Sequence, residues 1–280
     1  MNKYGIPAAI LLACTVLFSA CGGENPIPEL RLVPGTALLH VHVEPGLNSS
    51  LTSFAGDNVS GFVLADSLLK KGSLGLSLIG VDISTLEPQL LILTRNATTE
   101  YATALAARVL NLDPRQEANR VDLMSEHGYA RASVAGRDGW TAVYIGPAPH
   151  ITLGSWLDLK RDNSLAADTS LAKVIPENRH ITVLFPGNLF GFVSLLPLER
   201  QIPWWTNYKD AAETVKPAAL SLSFSWPEPH AEEPVQAGII LARRDGGVSS
   251  VEISVSDTRI DTDSCFTLLL NLAERSVFNE

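Results

Sequence analysis

Positive charge is scarce in this 280-residue sequence: 21 Lys and Arg stand against 30 Asp and Glu, a formal charge of −9. A chain with that balance lacks the field that gathers polyanions, which excludes nucleic acid as the expected partner. Catalytic signatures are missing too. There is no Gly-x-Ser-x-Gly, Gly-x-Gly-x-x-Gly, Walker loop or His-Glu-x-x-His, so the common hydrolase, dinucleotide, nucleotide and zincin chemistries have no recognisable footing. Beyond the N-terminus no segment reaches the roughly 20 apolar residues of a membrane span without meeting a charge, Pro or Gly. Cysteine is limited to Cys14, Cys21 and Cys265. With 46% hydrophobic and 18% charged residues, the chain is nevertheless composed like a globular protein with a full core.

What is present begins at the N-terminus. Residues 1–20 carry Lys3, then an apolar run from Ile6 to Leu17, then Phe18-Ser19-Ala20 before Cys21. That order of a short positive region, an apolar stretch too short to span a bilayer, and small residues reads as a secretory signal. Its end resembles a bacterial lipoprotein signal, in which small residues precede a cysteine that receives a diacylglycerol and becomes the mature N-terminus. The resemblance rests on Ser19-Ala20-Cys21, with Phe18 where Leu is commonest. It implies lipidation of Cys21, a palmitate-bearing anchor in the cell envelope and, because Gly22 stands where a retention Asp might, an outer-membrane site facing the periplasm. Two or three acyl chains hold durably where one holds only reversibly. Removal of Lys3 with the signal leaves 20 basic and 30 acidic side chains, a charge of −10, so the body is not expected to spread over anionic lipid. With Cys14 removed and Cys21 acylated, Cys265 is the single remaining thiol, and the fold must hold by packing without a disulfide. Cys265 itself reads as part of the buried face of a closing helix.

Residues 21–29, with Gly22, Gly23, Pro26 and Pro28, read as a lipidated tether, and the body is expected to start near Leu30. Strand patterns fall at 36–43, 89–94, 129–134, 140–145, 218–226, 235–243 and 248–256; helical patterns fall at 61–70, 98–110, 189–196 and 264–275. The Gly136-Arg137-Asp138-Gly139 and Asp245-Gly246-Gly247 segments read as hairpin turns. Pro34 to Val43 can be laid beside Pro176 to Phe185, each a proline, a polar turn and an alternating strand, at an offset of 142. These elements predict an α+β fold of antiparallel-rich sheets with helices packed on one face, in two degenerate halves, 30–160 and 161–280. With this layout, and with the Ser164-Leu165-Ala166-Ala167-Asp168 element leading into Pro176, the body resembles bacterial envelope proteins of uncharacterised function. That resemblance carries over no active site.

Four constellations invite chemistry. His40-Val41-His42 places two imidazoles on one face of a strand, a spacing that metallohydrolases use for two ligands; the competing expectation is a strand with Leu39, Val41 and Val43 inward and both histidines in solvent. No third ligand is recognisable among His127, His150, His180 and His230. Ser67-Leu68-Leu69-Lys70 has the Ser-x-x-Lys form of penicillin-recognising enzymes without their companion motifs. Asp257, Asp261 and Asp263 do not follow a calcium-loop spacing, and Asp263 suits a helix cap. Trp204, Trp205 and Tyr208 form an aromatic cluster beside prolines, the best candidate for a partner surface. The sequence thus predicts a membrane-anchored, non-enzymatic binding or structural module with no cofactor, its partner an envelope protein. The alternatives are a metal-dependent hydrolase built on His40 and His42, or a carrier of an apolar ligand.

Overall fold

A computed structural model describes residues 27–44, 64, 67–68, 72–82, 87–95, 97–172, 181–186, 217–225, 235–244 and 247–255. The signal, Cys21, the Trp204-Trp205-Tyr208 cluster, Asp257, Asp261, Asp263, Cys265 and the helices expected at 189–196 and 264–275 lie outside the described residues, as does Lys70 of the Ser-x-x-Lys motif.

Among the described residues, eleven strands form one antiparallel sheet: β1 (Leu39–Val43), β2 (Leu74–Val81), β3 (Pro88–Thr94), β4 (Asp113–Gln116), β5 (Val121–Met124), β6 (Ala130–Arg137), β7 (Trp140–Ile145), β8 (Ile181–Leu184), β9 (Pro217–Ser225), β10 (Val235–Arg243) and β11 (Val248–Val255). Their spatial order is β11-β10-β9-β8-β1-β2-β3-β7-β6-β5-β4. The two expected halves are therefore joined edge to edge through β1 and β8, which pair antiparallel with Val41 opposite Val183. The class is α+β, as the alternation of strand and helix signals predicts.

Among the described residues, the helices with both ends placed are α1 (Thr99–Leu110), α2 (Pro149–Leu157) and a single turn, α3 (Thr169–Ala172). Thr98 caps α1 by accepting a hydrogen bond from the Tyr101 amide, and Asn111 ends it in the left-handed conformation at φ 53°, so cap and stop act as their residue types favour. At the β6–β7 hairpin, Asp138 and Gly139 have φ of 52° and 75°, the paired positive angles that a two-residue turn between twisted strands requires. None of the helices among the described residues is long and apolar enough to cross a membrane.

Helices cover both faces of the sheet, which corrects the expectation of one. Successive residues of a strand point to opposite faces, and β3 divides accordingly. Leu91 and Leu93 join a core with Trp156 of α2 and Leu171 of α3, whereas Ile92 joins a second core with Ala102 and Ala106 of α1. The reason lies in the near-continuous apolar run Leu90-Leu91-Ile92-Leu93, which leaves no polar face to expose. Each buried Leu or Ile of this kind contributes about 1.5–3 kcal/mol. The first core is roofed near the chain's entry by a 3-10 turn, Pro28–Leu32. This strap is fastened to α2, where the Trp156 indole donates to the Leu32 carbonyl at 2.7 Å, and to the following segment, where the Leu165 amide donates to the Val33 carbonyl at 2.8 Å.

Candidate functional site

The principal cluster of buried ionisable groups lies under that strap. The Pro-Glu pair at its start is favourable for a helical turn, since Pro fills a position that needs no amide donor and Glu suits the first turn. In consequence Leu30 and Leu32 enter the core and Glu29 is directed onto the sheet, where it is fully buried. Gly75 makes the approach possible: a Cβ at that position would lie 3.0 Å from Glu29 Cγ, 3.1 Å from its Oε1 and 3.1 Å from His40 Cε1.

His40 and His42 lie on this same face of β1 and are both buried, at 0% and 3% exposure. The expectation of two solvent-facing histidines is thereby overturned. With both faces of the sheet covered, alternation on β1 separates one packed side from another and not core from water. His42 Nδ1 is hydrogen-bonded to Glu29 Oε1, its Nε2 lies 2.9 Å from Glu44 Oε1, and His40 Nδ1 lies 2.9 Å from Ser77 Oγ. Nε2 of His40 is 3.5 Å from Glu29 Oε1. The result is a series of polar groups, Ser77-His40-Glu29-His42-Glu44, running from the interior to a carboxylate that is 44% exposed, in which His40 Nε2 and Glu29 Oε2 are buried without a hydrogen-bond partner.

Electrostatics follow from that geometry. Burial pushes the Glu29 pKa upward, but hydrogen bonds from His40 and His42 and their charge attraction outweigh it and bring the group down to about 2. Burial disfavours the charged form of His42, and the Glu29 and Glu44 carboxylates overcome that penalty and raise it to about 9. At neutral pH His42 is an imidazolium donating one N–H to each carboxylate, as the tight pairing of a buried charge demands.

Glu29 Oε1 occupies the space between the two rings, and among the described residues no group of three or more His, Cys, Asp or Glu side chains is placed to hold a metal ion. His127 and His150 are exposed and separate from the cluster, and His180 and His230 lie outside the described residues. Ser67 and Leu68 are helical, with Leu68 buried. Ser77, beside His40, is itself fully buried.

A second polar cluster ties β5 to β6. Asp122 accepts from Arg120 Nε at 2.9 Å, from Arg120 Nη2 at 3.2 Å and from Ser133 Oγ at 2.5 Å. Burial raises the Asp122 pKa, while the Arg120 and Ser133 hydrogen bonds and the positive charges of Arg120 and His150 lower it, for a net decrease. An open cavity of ≈ 520 Å³ sits where α1 begins beside the β6–β7 turn, lined by Arg95, Thr98, Arg137, Asp138 and Trp140 among others. Its helix terminus is already served by the Thr98 cap.

Sequence reasoning singled out His40 and His42 but not Glu29, Glu44, Ser77 or Gly75. Pro28-Glu29 followed by Leu30 and Leu32 was the available signal for a helical turn with an acid at its start.

Comparison with protein-family profiles finds no match, and comparison with curated proteins finds none. Among solved structures, crystal form III of TP0453 is similar over 86% of this chain and 85% of that one, at 10% identity and a TM-score of 0.43.

Proposed function

We propose that this chain is a lipid-anchored envelope protein, acylated at Cys21 after removal of residues 1–20, whose body serves as a non-enzymatic binding or structural module. The observation that carries the reading is where the packed body begins. Ile27 is 3% exposed and Glu29 is fully buried, so the fold takes hold six residues after Cys21 and not near Leu30. Six residues reach at most about 20 Å, which keeps the sheet against the surface that holds the anchor. The buried Glu29–His42 pair seats this connection.

The non-enzymatic part of the reading is supported by the state of the ionisable groups. Glu29, His40 and His42 are buried beneath the strap, where a substrate would have no access to them.

The same reading takes the body as a duplicated unit. At the seam, His40 pairs with Leu184, Val41 with Val183 and His42 with Thr182. Adding 142 to 40, 41 and 42 gives 182, 183 and 184, so each pair maps onto another under the offset found in the sequence, as a two-fold axis through Val41 and Val183 requires. Beyond the seam, β2 follows β1 outward as β9 follows β8.

Labelling of cells with a palmitate analogue tests the anchor, comparing wild type with Cys21→Ser and then separating inner from outer membranes. Label on the wild type, lost in the variant, with the protein in the outer-membrane fraction, is the expected result. A wild-type protein that takes up no label and remains soluble overturns the reading.

A further inference from the structure

We infer that the Glu29–His42 pair is a proton-controlled latch on the strap, set into a seat that the other half of the fold fills with apolar side chains; the inference rests on reading the body as a duplicated unit. The offset of 142 carries Glu29 to Leu171, His40 to Thr182 and His42 to Leu184, and the two sets are paired alike. His42 lies opposite Gly75 and His40 opposite Ser77; Leu184 lies opposite Ala219 and Thr182 opposite Ser221. Ser77 Oγ is 2.9 Å from His40 Nδ1, and Ser221 Oγ is 3.3 Å from Thr182 Oγ1. Leu171 belongs to α3, which packs on β9 as the strap packs on β2 at Gly75. Leu171, Leu184 and Ala219 are fully buried in the first core. Where one half has Glu29, His42 and Gly75, the other therefore has Leu171, Leu184 and Ala219.

The fold thus seats a helical turn at this spot without charge. A buried ion pair holds no better than well-packed apolar side chains of similar volume, but its hold depends on its protons. Among the described residues the ionisable groups that face the pair are His40 and Glu44, both on β1, while β2 offers Gly75 and Ser77 and β8 offers Thr182 and Leu184. Burial disfavours the His42 cation, and Glu29 and Glu44 outweigh that penalty, raising the group to about 9 from 6.5. The latch is therefore complete below pH 6.5 and weakens as pH rises through 9. Loss of the proton leaves the buried Glu29 carboxylate without the cation that seats it. β1 pairs with β2 and β8 and not with the strap, so the strap can open while the sheet stays folded. Leu30 and Leu32 continue to favour closure from within the core, so proton loss changes how often the strap opens and does not unfold the protein. Opening frees Ile27 to Val33, and the reach from Cys21 to the sheet grows from about 20 Å to about 45 Å.

Hydrogen exchange tests the latch, with α3 as the internal standard. In the full-length protein the Leu30 and Val33 amides of the strap are followed beside the Leu171 amide, which donates to the Asp168 carbonyl at 3.1 Å. Each rate is divided by its free-peptide rate at the same pH. Strap opening is expected to rise about tenfold or more between about pH 6 and 8, with α3 opening unchanged. The Glu29→Leu, His42→Leu, Gly75→Ala protein, which copies the α3 seat, should keep the strap closed and lose the dependence. Strap opening that is flat in the wild type, or that rises equally in the variant, overturns the latch. A strap that exchanges freely in the variant while β3 remains protected refutes the equivalence of the two seats and with it the duplicated unit, a failure distinct from a wild type without pH dependence.

Discussion

The carboxylate of Glu29 rests on Gly75, at the one place on β2 where a missing side chain lets the strap reach the sheet. This contact joins the first packed residues of the chain to its central strands. It explains how a segment rich in proline becomes part of the core.

Gly75→Ala therefore tests the fit. The added methyl would meet Glu29 and His40 atoms at 3.0–3.1 Å, and overpacking of this kind costs about 1–3 kcal/mol. Thermal unfolding should shift downward by several degrees, and the shift should shrink when Glu29 is shortened to Ala. An unchanged melting temperature in Gly75→Ala would mean that the strap is not seated there.

Glu29→Gln removes the buried partner of the His42 charge and leaves it only the half-exposed Glu44 carboxylate, a loss of up to about 3–5 kcal/mol. Replacing both groups, as Glu29→Leu with His42→Leu, should cost less than the sum of the two single changes, because neither charge is then stranded. Chemical denaturation of the four proteins in a double-mutant cycle measures the difference. Additive effects would contradict a direct pair.

The pH dependence follows from the same pair. Glu29 is depressed to about 2 from 4.5, so its contribution is present above pH 4.5 and is lost as pH falls toward 2. His42 is raised to about 9 from 6.5, so its contribution is complete below pH 6.5 and disappears as pH rises through 9. Stability should form a plateau from about pH 4.5 to 6.5 with a falling limb on each side. In the Glu29→Leu, His42→Leu protein both limbs should flatten, as denaturant titrations across pH will read.

Trp156→Phe should also loosen the strap, since it keeps the ring but deletes the donor to the Leu32 carbonyl. A buried acceptor left without its partner costs about 1–3 kcal/mol. The expected result is a lower unfolding midpoint with the secondary structure intact by circular dichroism.

Much of the sheet was legible where one signal dominated. Thr98, Asn111 and the alanine-rich run between them specified α1, and Asp138-Gly139 specified the β6–β7 turn. Other elements carried mixed signals. In β2, Gly75 and Gly80 interrupt the alternation of Leu74, Leu76 and Leu78; α2 has Gly154 in its interior; β4 and β5 have four residues each, too few to establish a period. The histidines were misplaced for a different reason. Alternation shows that His40 and His42 share a face, but whether that face meets water depends on what covers it. Their cover is the strap, whose Pro28-Glu29 looked like part of a flexible tether until its register on Gly75 was known.

Native-state hydrogen exchange of the Leu30 and Val33 amides tests the central claim most directly, that the Pro28–Leu32 strap belongs to the folded core. Both donate within the strap, to the Ile27 and Leu30 carbonyls at 3.3 Å. The account predicts exchange slowed along with the central strands in the wild type, and much faster in Glu29→Gln while β3 and β7 remain protected. Exchange at free-peptide rates in the wild type, with the sheet still protected, would contradict it.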